Sequence, residues 1–202
     1  MSITLALESA IAGGSISLLD GEEEIARWVG SSDVSKAEEL LANIDAIARD
    51  SGLTRRDFDR IAVSAGPGSF TGIRIGLATV LGLKTGLGVK MQSVSALEAI
   101  AAPAADKAVV VAVPMGRNSV CLQHFSQGAA DHPYTIDNER FVELIRQDGQ
   151  NSYLVHDTLY SAELQLPSVS NFGWNVARAI GIYAVTHPDV SVEPLFISKS
   201  PQ

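Results

Sequence analysis

The segment Gly66-Pro67-Gly68-Ser69-Phe70-Thr71-Gly72-Ile73-Arg74-Ile75-Gly76 constrains this chain more than any other. Its glycines and proline dictate where the backbone turns and how closely it can be approached. It follows Ile61-Ala62-Val63, an apolar run that reads as a strand, and it opens a helical stretch predicted over Thr71–Thr85. Three familiar glycine motifs fail here. A phosphate loop has four residues between its glycines and then a lysine; Gly66 to Gly72 encloses five, and Ile73 stands where the lysine belongs. A dinucleotide fingerprint is G-x-G-x-x-G with an acid about 20 residues on; this spacing is G-x-G-x-x-x-G, with no acid between Asp59 and Glu98. Ser69 is no nucleophile elbow, because Pro67 replaces the first glycine of G-x-S-x-G. Two readings stay open. Backbone N–H groups around Gly66, Gly68, Ser69 and Thr71 hold an anion or nucleotide at the helix start, or the glycines let the loop pass another backbone closely.

Inside the helix, Gly72, Gly76, Gly82 and Gly86 each cost about 1 kcal/mol relative to alanine, a cost accepted where something packs close. Gly72 and Gly76 lie four apart and share a face with Thr79 and Val80, a small-residue stripe; Arg74 sits on its shoulder. A second helix is predicted over Lys36–Asp50, with Ser35 as N-cap, Glu38 completing a capping box and Gly52 as terminator. Its Leu40, Leu41 and Ile44 share one face. These two helices are expected to meet each other or a partner chain, through Leu40, Leu41, Ile44, Gly72, Ile73, Arg74, Gly76, Leu77 and Val80.

The elements before and after form an informative order. Ile3–Leu7, Ser15–Leu19 and Ile25–Val29 read as a three-strand meander turning at Gly13-Gly14 and Asp20-Gly21. Then come helix, strand, helix, a strand over Val89–Val94 and a short helix over Ala96–Ala102. This β-β-β-α-β-α-β order is that of mixed-sheet ribonuclease-H-like folds and of the actin-like ATPase superfamily. Pro103–Lys107 reads as a boundary. Beyond it, Ala108–Val113 pairs with Val120–Phe125 across Gly116-Arg117-Asn118, followed by a helix over Phe141–Gln147, a strand over Tyr153–His156 and a helix over Trp174–Val185. The expectation is an α/β chain in two subdomains, 1–105 and a smaller 106–202.

Charge and composition narrow the function. The net charge is −8, with 15 basic and 23 acidic residues, so the chain alone is a poor ligand for nucleic acid. Net charge is −6 over residues 1–60, +3 over 61–128 and −5 over 129–202; burial explains an acid-poor middle better than an anion-facing surface does. One cysteine, Cys121, lies in an apolar strand and reads as an inert core thiol, as in a reducing cytoplasm. His124, His132, His156 and His187 form no helical metal pair. Glu8 ends the first strand, where a carboxylate would hold magnesium; a lone acid there reads as solvated. No apolar run reaches the ~18 residues of a membrane span, and Met1–Ala10 has no basic n-region, so neither membrane nor signal peptide is expected.

Ser64-Ala65-Gly66-Pro67-Gly68-Ser69-Phe70-Thr71-Gly72-Ile73-Arg74-Ile75-Gly76-Leu77-Ala78-Thr79 closely resembles the hallmark segment of the TsaB (YeaZ) family. Leu81-Gly82-Leu83, Val94-Ser95-Ala96-Leu97-Glu98 and Ser17-Leu18-Leu19-Asp20-Gly21 fit the same family, and Glu193-Pro194-Leu195-Phe196-Ile197 resembles its closing segment. The resemblance implies an actin-like ATPase (ASKHA, ribonuclease-H-like) fold. It implies a non-catalytic paralogue of TsaD that supports TsaD in making tRNA N6-threonylcarbamoyladenosine, with the ATPase TsaE joining the complex. It also implies a homodimer when alone, exchanged for TsaD through the helices Lys36–Asp50 and Thr71–Thr85. No cofactor would be held by this chain alone; ATP or ADP would enter at the level of the complex. Direct tRNA binding is not expected. The family's opening Asp-Thr-Ser-Thr-like run is Glu8-Ser9-Ala10-Ile11 here, its His-Ser-Glu is Lys36-Ala37-Glu38, and its Asp-Ala-Arg is Pro114-Met115-Gly116. Loss of that aspartate favours a scaffold over the alternative, an actin-like small-molecule kinase or ATPase.

Overall fold

The computed structural model describes residues 2–11, 13–31, 39–161, 164–173 and 175–195. Strand β1 (Ile3–Glu8) pairs antiparallel with β2 (Ser15–Asp20), Ile3 opposite Asp20 and Glu8 opposite Ser15, and β2 pairs antiparallel with β3 (Glu23–Val29). The chain continues through α1 (Leu40–Asp50), β4 (Phe58–Ser64), α2 (Phe70–Leu87), β5 (Lys90–Val94) and α3 (Ala96–Ala101). Strand β4 lies parallel to β1, and β5 parallel to β4, giving the order β3-β2-β1-β4-β5. Each parallel return carries a helix, because parallel strands need a long crossover.

The second sheet repeats this plan. Strand β6 (Val109–Pro114) pairs antiparallel with β7 (Ser119–Ser126), which carries the short β8 (Ala129–Ala130) and β9 (Tyr134–Asp137). Helix α4 (Asn138–Gln147) leads to β10 (Ser152–Val155), parallel to β6, and β11 (Val169–Asn171) lies parallel to β10. Helix α5 (Val176–Thr186) follows. Strand for strand, β9-β7-β6-β10-β11 matches β3-β2-β1-β4-β5, so the actin-like order read in the first half occurs twice.

Alternation along β1 explains the layers. Leu5 and Leu7 face α1 and α2, with Ile16, Leu18, Ile61 and Val63 against Ile44 and Val80. Ala6 faces the other way, into a cluster shared by both sheets, where Leu19, Ala62, Val111 and Cys121 meet Ile100 of α3 and Ile180 of α5. A third cluster packs Val110, Ala112 and Tyr153 against Phe141 and Ile145 of α4. The layers therefore run α1/α2, first sheet, α3/α5, second sheet, α4. All six β1 residues are buried, as befits a strand covered on both faces.

Several boundaries differ from expectation. The described part of the first helix starts at Leu40; Ser35 and Lys36–Glu38 lie outside the described residues, as do Trp174 and Phe196-Ile197. Helix α2 runs two residues beyond Thr85, to Leu87, and stops at Gly88 in the left-handed conformation, φ 70°. Helix α4 begins at Asn138 because Asp137 caps it, its Oδ1 accepting from the Arg140 N–H at 2.7 Å. Among the described residues no helix is long and apolar enough to cross a membrane.

Candidate functional site

The glycine segment forms the turn from β4 into α2, and its conformation follows from what it touches. Gly66 and Gly68 have φ of 97° and 155°, in the region that favours glycine. A Cβ on Gly68 would lie 2.6 Å from the Ala10 carbonyl oxygen, and one on Gly66 would lie 2.8 Å from Ile73 Cδ1. The Ser69 N–H donates to the Ala10 carbonyl (2.8 Å), and the Gly66 N–H to Ser64 Oγ (3.1 Å). Ser69 caps α2, its Oγ accepting from the Gly72 N–H at 3.3 Å. Of the four N–H groups read as an anion cradle, those of Gly66 and Ser69 are thus spent inside the chain, whereas Thr71 stands exposed at the helix start. The close-approach reading describes Gly66 and Gly68.

The loop it passes is the turn after β1. Glu8 is 1% exposed, not solvated as its position suggested. Its Oε1 accepts the Ala10 and Ile11 N–H groups at 2.5 and 2.9 Å, so the carboxyl closes the β1–β2 turn from within. Burial raises its pKa from 4.5 to about 7 despite those bonds. Ser9 Oγ donates to the Gly72 carbonyl at 2.9 Å, locking the turn onto α2.

That contact corrects the small-residue stripe. A Cβ on Gly72 would sit 2.2 Å from the Ser9 carbonyl oxygen, and one on Gly76 would sit 2.4 Å from Ser9 Oγ. Both glycines therefore accommodate this chain's own turn and form no groove for a partner helix. Ile73, Val80, Leu40 and Ile44 are likewise buried, the last three in the cluster under the first sheet. Of the expected interface residues, Leu41 and Arg74 are exposed and Leu77 is half-buried.

The outward face of α2 carries a different stripe. Ala78, Gly82 and Gly86 lie four apart on it, and a Cβ on either glycine would meet nothing within 4 Å. With Leu41 of α1 and Arg55, they line a groove of about 300 Å3 between the two helices. Leu41 is 43% and Leu81 50% exposed, large apolar side chains left in water. Asp45 and Arg55 form a two-point ion pair beside it, which holds the Asp45 carboxyl below its ordinary range. At the other end of the helix the Arg74 guanidinium lies 3.8 Å from the centre of the exposed Phe70 ring. Gly82 and Gly86 stand out in the sequence by their cost in a helix, but their alignment with Ala78 along an open groove is set by the packing of the helix. Ten residues of helix rotate Gly82 about 80° from Gly72, onto another face.

The remaining candidates are structural. Cys121 is buried, and burial pushes its thiol up to about 12, so it stays an inert thiol. His156 is buried and held down to about 4 by desolvation, which keeps it neutral. Among the described residues no group of three His, Cys, Asp or Glu side chains is placed to hold a metal ion.

A family model covers more than half of the chain. It is that of TsaD, tRNA N6-adenosine threonylcarbamoyltransferase, and matches residues 33–151. An uncharacterized protein of Mycobacterium leprae is 34% identical over 104 residues, covering 50% of this chain and 29% of that protein. The tRNA threonylcarbamoyladenosine biosynthesis protein TsaB of Haemophilus influenzae is 34% identical over 128 residues, covering 61% of this chain and 52% of that protein. The chain thus matches between 29% and 52% of the length of these relatives. Among solved structures, YeaZ from Pseudomonas aeruginosa superposes with a TM-score of 0.68 over 98% of this chain and 100% of that one, at 21% identity, a likeness of fold.

Proposed function

The chain belongs to the TsaD family as a TsaB (YeaZ)-type member, and on that premise we propose that it is a scaffold subunit for a TsaD enzyme in tRNA N6-threonylcarbamoyladenosine biosynthesis, acting in the cytoplasm. In this reading it binds TsaD through the outward face of α1 and α2, pairs with a second copy by the same face when alone, and meets TsaE only through the complex. ATP or ADP belongs to the assembled complex. The observation that carries the reading is the open stripe Ala78-Gly82-Gly86 with exposed Leu41 and Leu81 beside it. Small residues let a partner helix approach closely, and exposed leucines gain by being covered. Glu8 supports a subunit without chemistry of its own, since its carboxyl is turned into the β1–β2 turn.

The test is co-purification with TsaD from the same organism, beside size exclusion of the chain alone. Leu81→Glu should reduce both associations at least tenfold while the melting temperature stays within about 2 °C, as for an exposed site. Unchanged association would remove this face from the proposal. An ATPase assay of the purified chain addresses the enzyme alternative: turnover above background, abolished by Glu8→Gln, would replace the scaffold reading.

A further inference from the structure

A second cleft, of about 370 Å3, lies on the opposite side of the first sheet, between α3, the β7–β8 turn and the last turn of α5. Alanines, among them Ala102 and Ala105, supply its apolar lining. Phe125, Tyr183 and His187 contribute rings, those of Tyr183 and His187 stacked 4.3 Å apart at 12°. Glu98 enters from α3 and is half-buried; the Tyr183 hydroxyl donates to its Oε2 at 3.2 Å. No lysine or arginine is among the described lining residues, and among the described residues Glu98 makes no ion pair. One acid, three rings and an alanine lining have a defined chemical preference. A carboxylate favours a cation, the faces of Phe125 and Tyr183 attract it through their quadrupoles, and the alanines accept methylenes. An anion would be repelled, and a neutral alkyl guest would leave the carboxylate uncompensated.

We propose that this cleft binds an organic ammonium group carried on a short apolar chain. The volume lies within the ~300–1,000 Å3 of small-molecule sites. The site is separate from the α1–α2 face and does not depend on the function proposed for it.

The probe is n-butylammonium chloride, with 1-butanol and sodium butyrate as matched controls at constant ionic strength. The readout is the amide shift of Ala102, Ala105 and Ala129 by heteronuclear NMR. Saturable shifts with butylammonium, and binding of butanol and butyrate weaker by about tenfold or more, are expected from a charge-selective cleft. Glu98→Gln should lower butylammonium affinity by about tenfold, and Tyr183→Leu should also weaken it. The lysine analogue Nα-acetyl-lysine methylamide distinguishes sources: affinity within about twofold of butylammonium assigns the group to a peptide lysine, and weaker binding assigns it to a free amine. Equal affinity for butylammonium and butanol, or no saturable shift up to about 50 mM, overturns the proposal. Because that comparison uses the unmodified protein, it decides even where Glu98→Gln folds poorly; a folded Glu98→Gln protein with unchanged affinity also overturns it.

Discussion

At the scale of single residues, Glu8 shows how position and environment part company. It ends a strand, where solvent would be ordinary, yet the turn it caps folds over it. Its folded pKa of about 7 lies above its ordinary 4.5, so the folded state holds the proton more tightly. The stability this contributes is full below about pH 4.5 and is lost as pH rises through 7, amounting to roughly 3 kcal/mol by pH 9. Thermal melts from pH 5 to 9 should fall with pH in the parent, and Glu8→Gln should flatten that slope; parallel curves would show that Glu8 does not titrate here. A pair of glycines makes the second residue-scale prediction. Gly72→Ala drives a Cβ into the Ser9 carbonyl and should cost about 1–3 kcal/mol or more, whereas Gly82→Ala meets open space and should gain up to about 1 kcal/mol. Urea unfolding of both variants reads the difference, and equal signs would mean that α2 is rotated from its described orientation. The sequence disclosed that these glycines needed a reason. It did not disclose which reason applies to which glycine, because a tight contact and an open groove require the same small residue.

At the scale of elements, the central strands and helices were legible because their signals are periodic. The spacing of Leu40, Leu41 and Ile44 marked α1, and alternation with Asp20-Gly21 marked the β2–β3 hairpin. Strands β9 and β11, four and three residues long, escaped, since so few residues carry no period and their pairing with β7 and β10 is set by the sheet. The chain after α5 escaped for a similar reason. It crosses the edge beside β5 through backbone bonds that leave little pattern: the Val192 N–H donates to the Ser93 carbonyl at 3.0 Å and the Leu195 N–H to the Ala65 carbonyl at 2.7 Å. Gln92 is the side chain that holds it, its Nε2 donating to the His187 and Val190 carbonyls. Gln92→Leu should leave those carbonyls without their donor and cost about 1–3 kcal/mol. Hydrogen exchange should show the loss first as weaker protection at Val192 and Leu195; undiminished protection there would mean the backbone bonds suffice.

At the scale of the whole molecule, the two sheets are related by the same strand order but not by equal independence. Helix α5 comes from the second half and packs on β1 and β2 of the first sheet. Its start is tied there by polar contacts: Asn175 Nδ2 and Ser17 Oγ both donate to Glu24 Oε1 at 2.6 Å, and the Ala177 N–H donates to Ser15 Oγ at 2.9 Å. Gly181 sets the depth of the contact. A Cβ there would fall 2.4 Å from Leu19 Cδ1 and 3.0 Å from Ala6 Cβ, and Leu19 is fully buried with little room to yield. Replacing a helical glycine in open space would raise stability, so a loss here reports packing alone. Gly181→Leu should lower stability by about 1–3 kcal/mol, which for a chain of this size is roughly 2–12 °C in melting temperature. The loss should reach both sheets, because α5 and α3 fill the space between them and Val111 and Cys121 of the second sheet share their cluster with Ala6 of the first. Hydrogen exchange should therefore show protection falling together in β1, β2 and β6, with one cooperative melt. If protection fell in β1 and β2 alone, the halves would unfold as separate units and α5 would be an appendage of the first sheet, not the piece that joins it to the second.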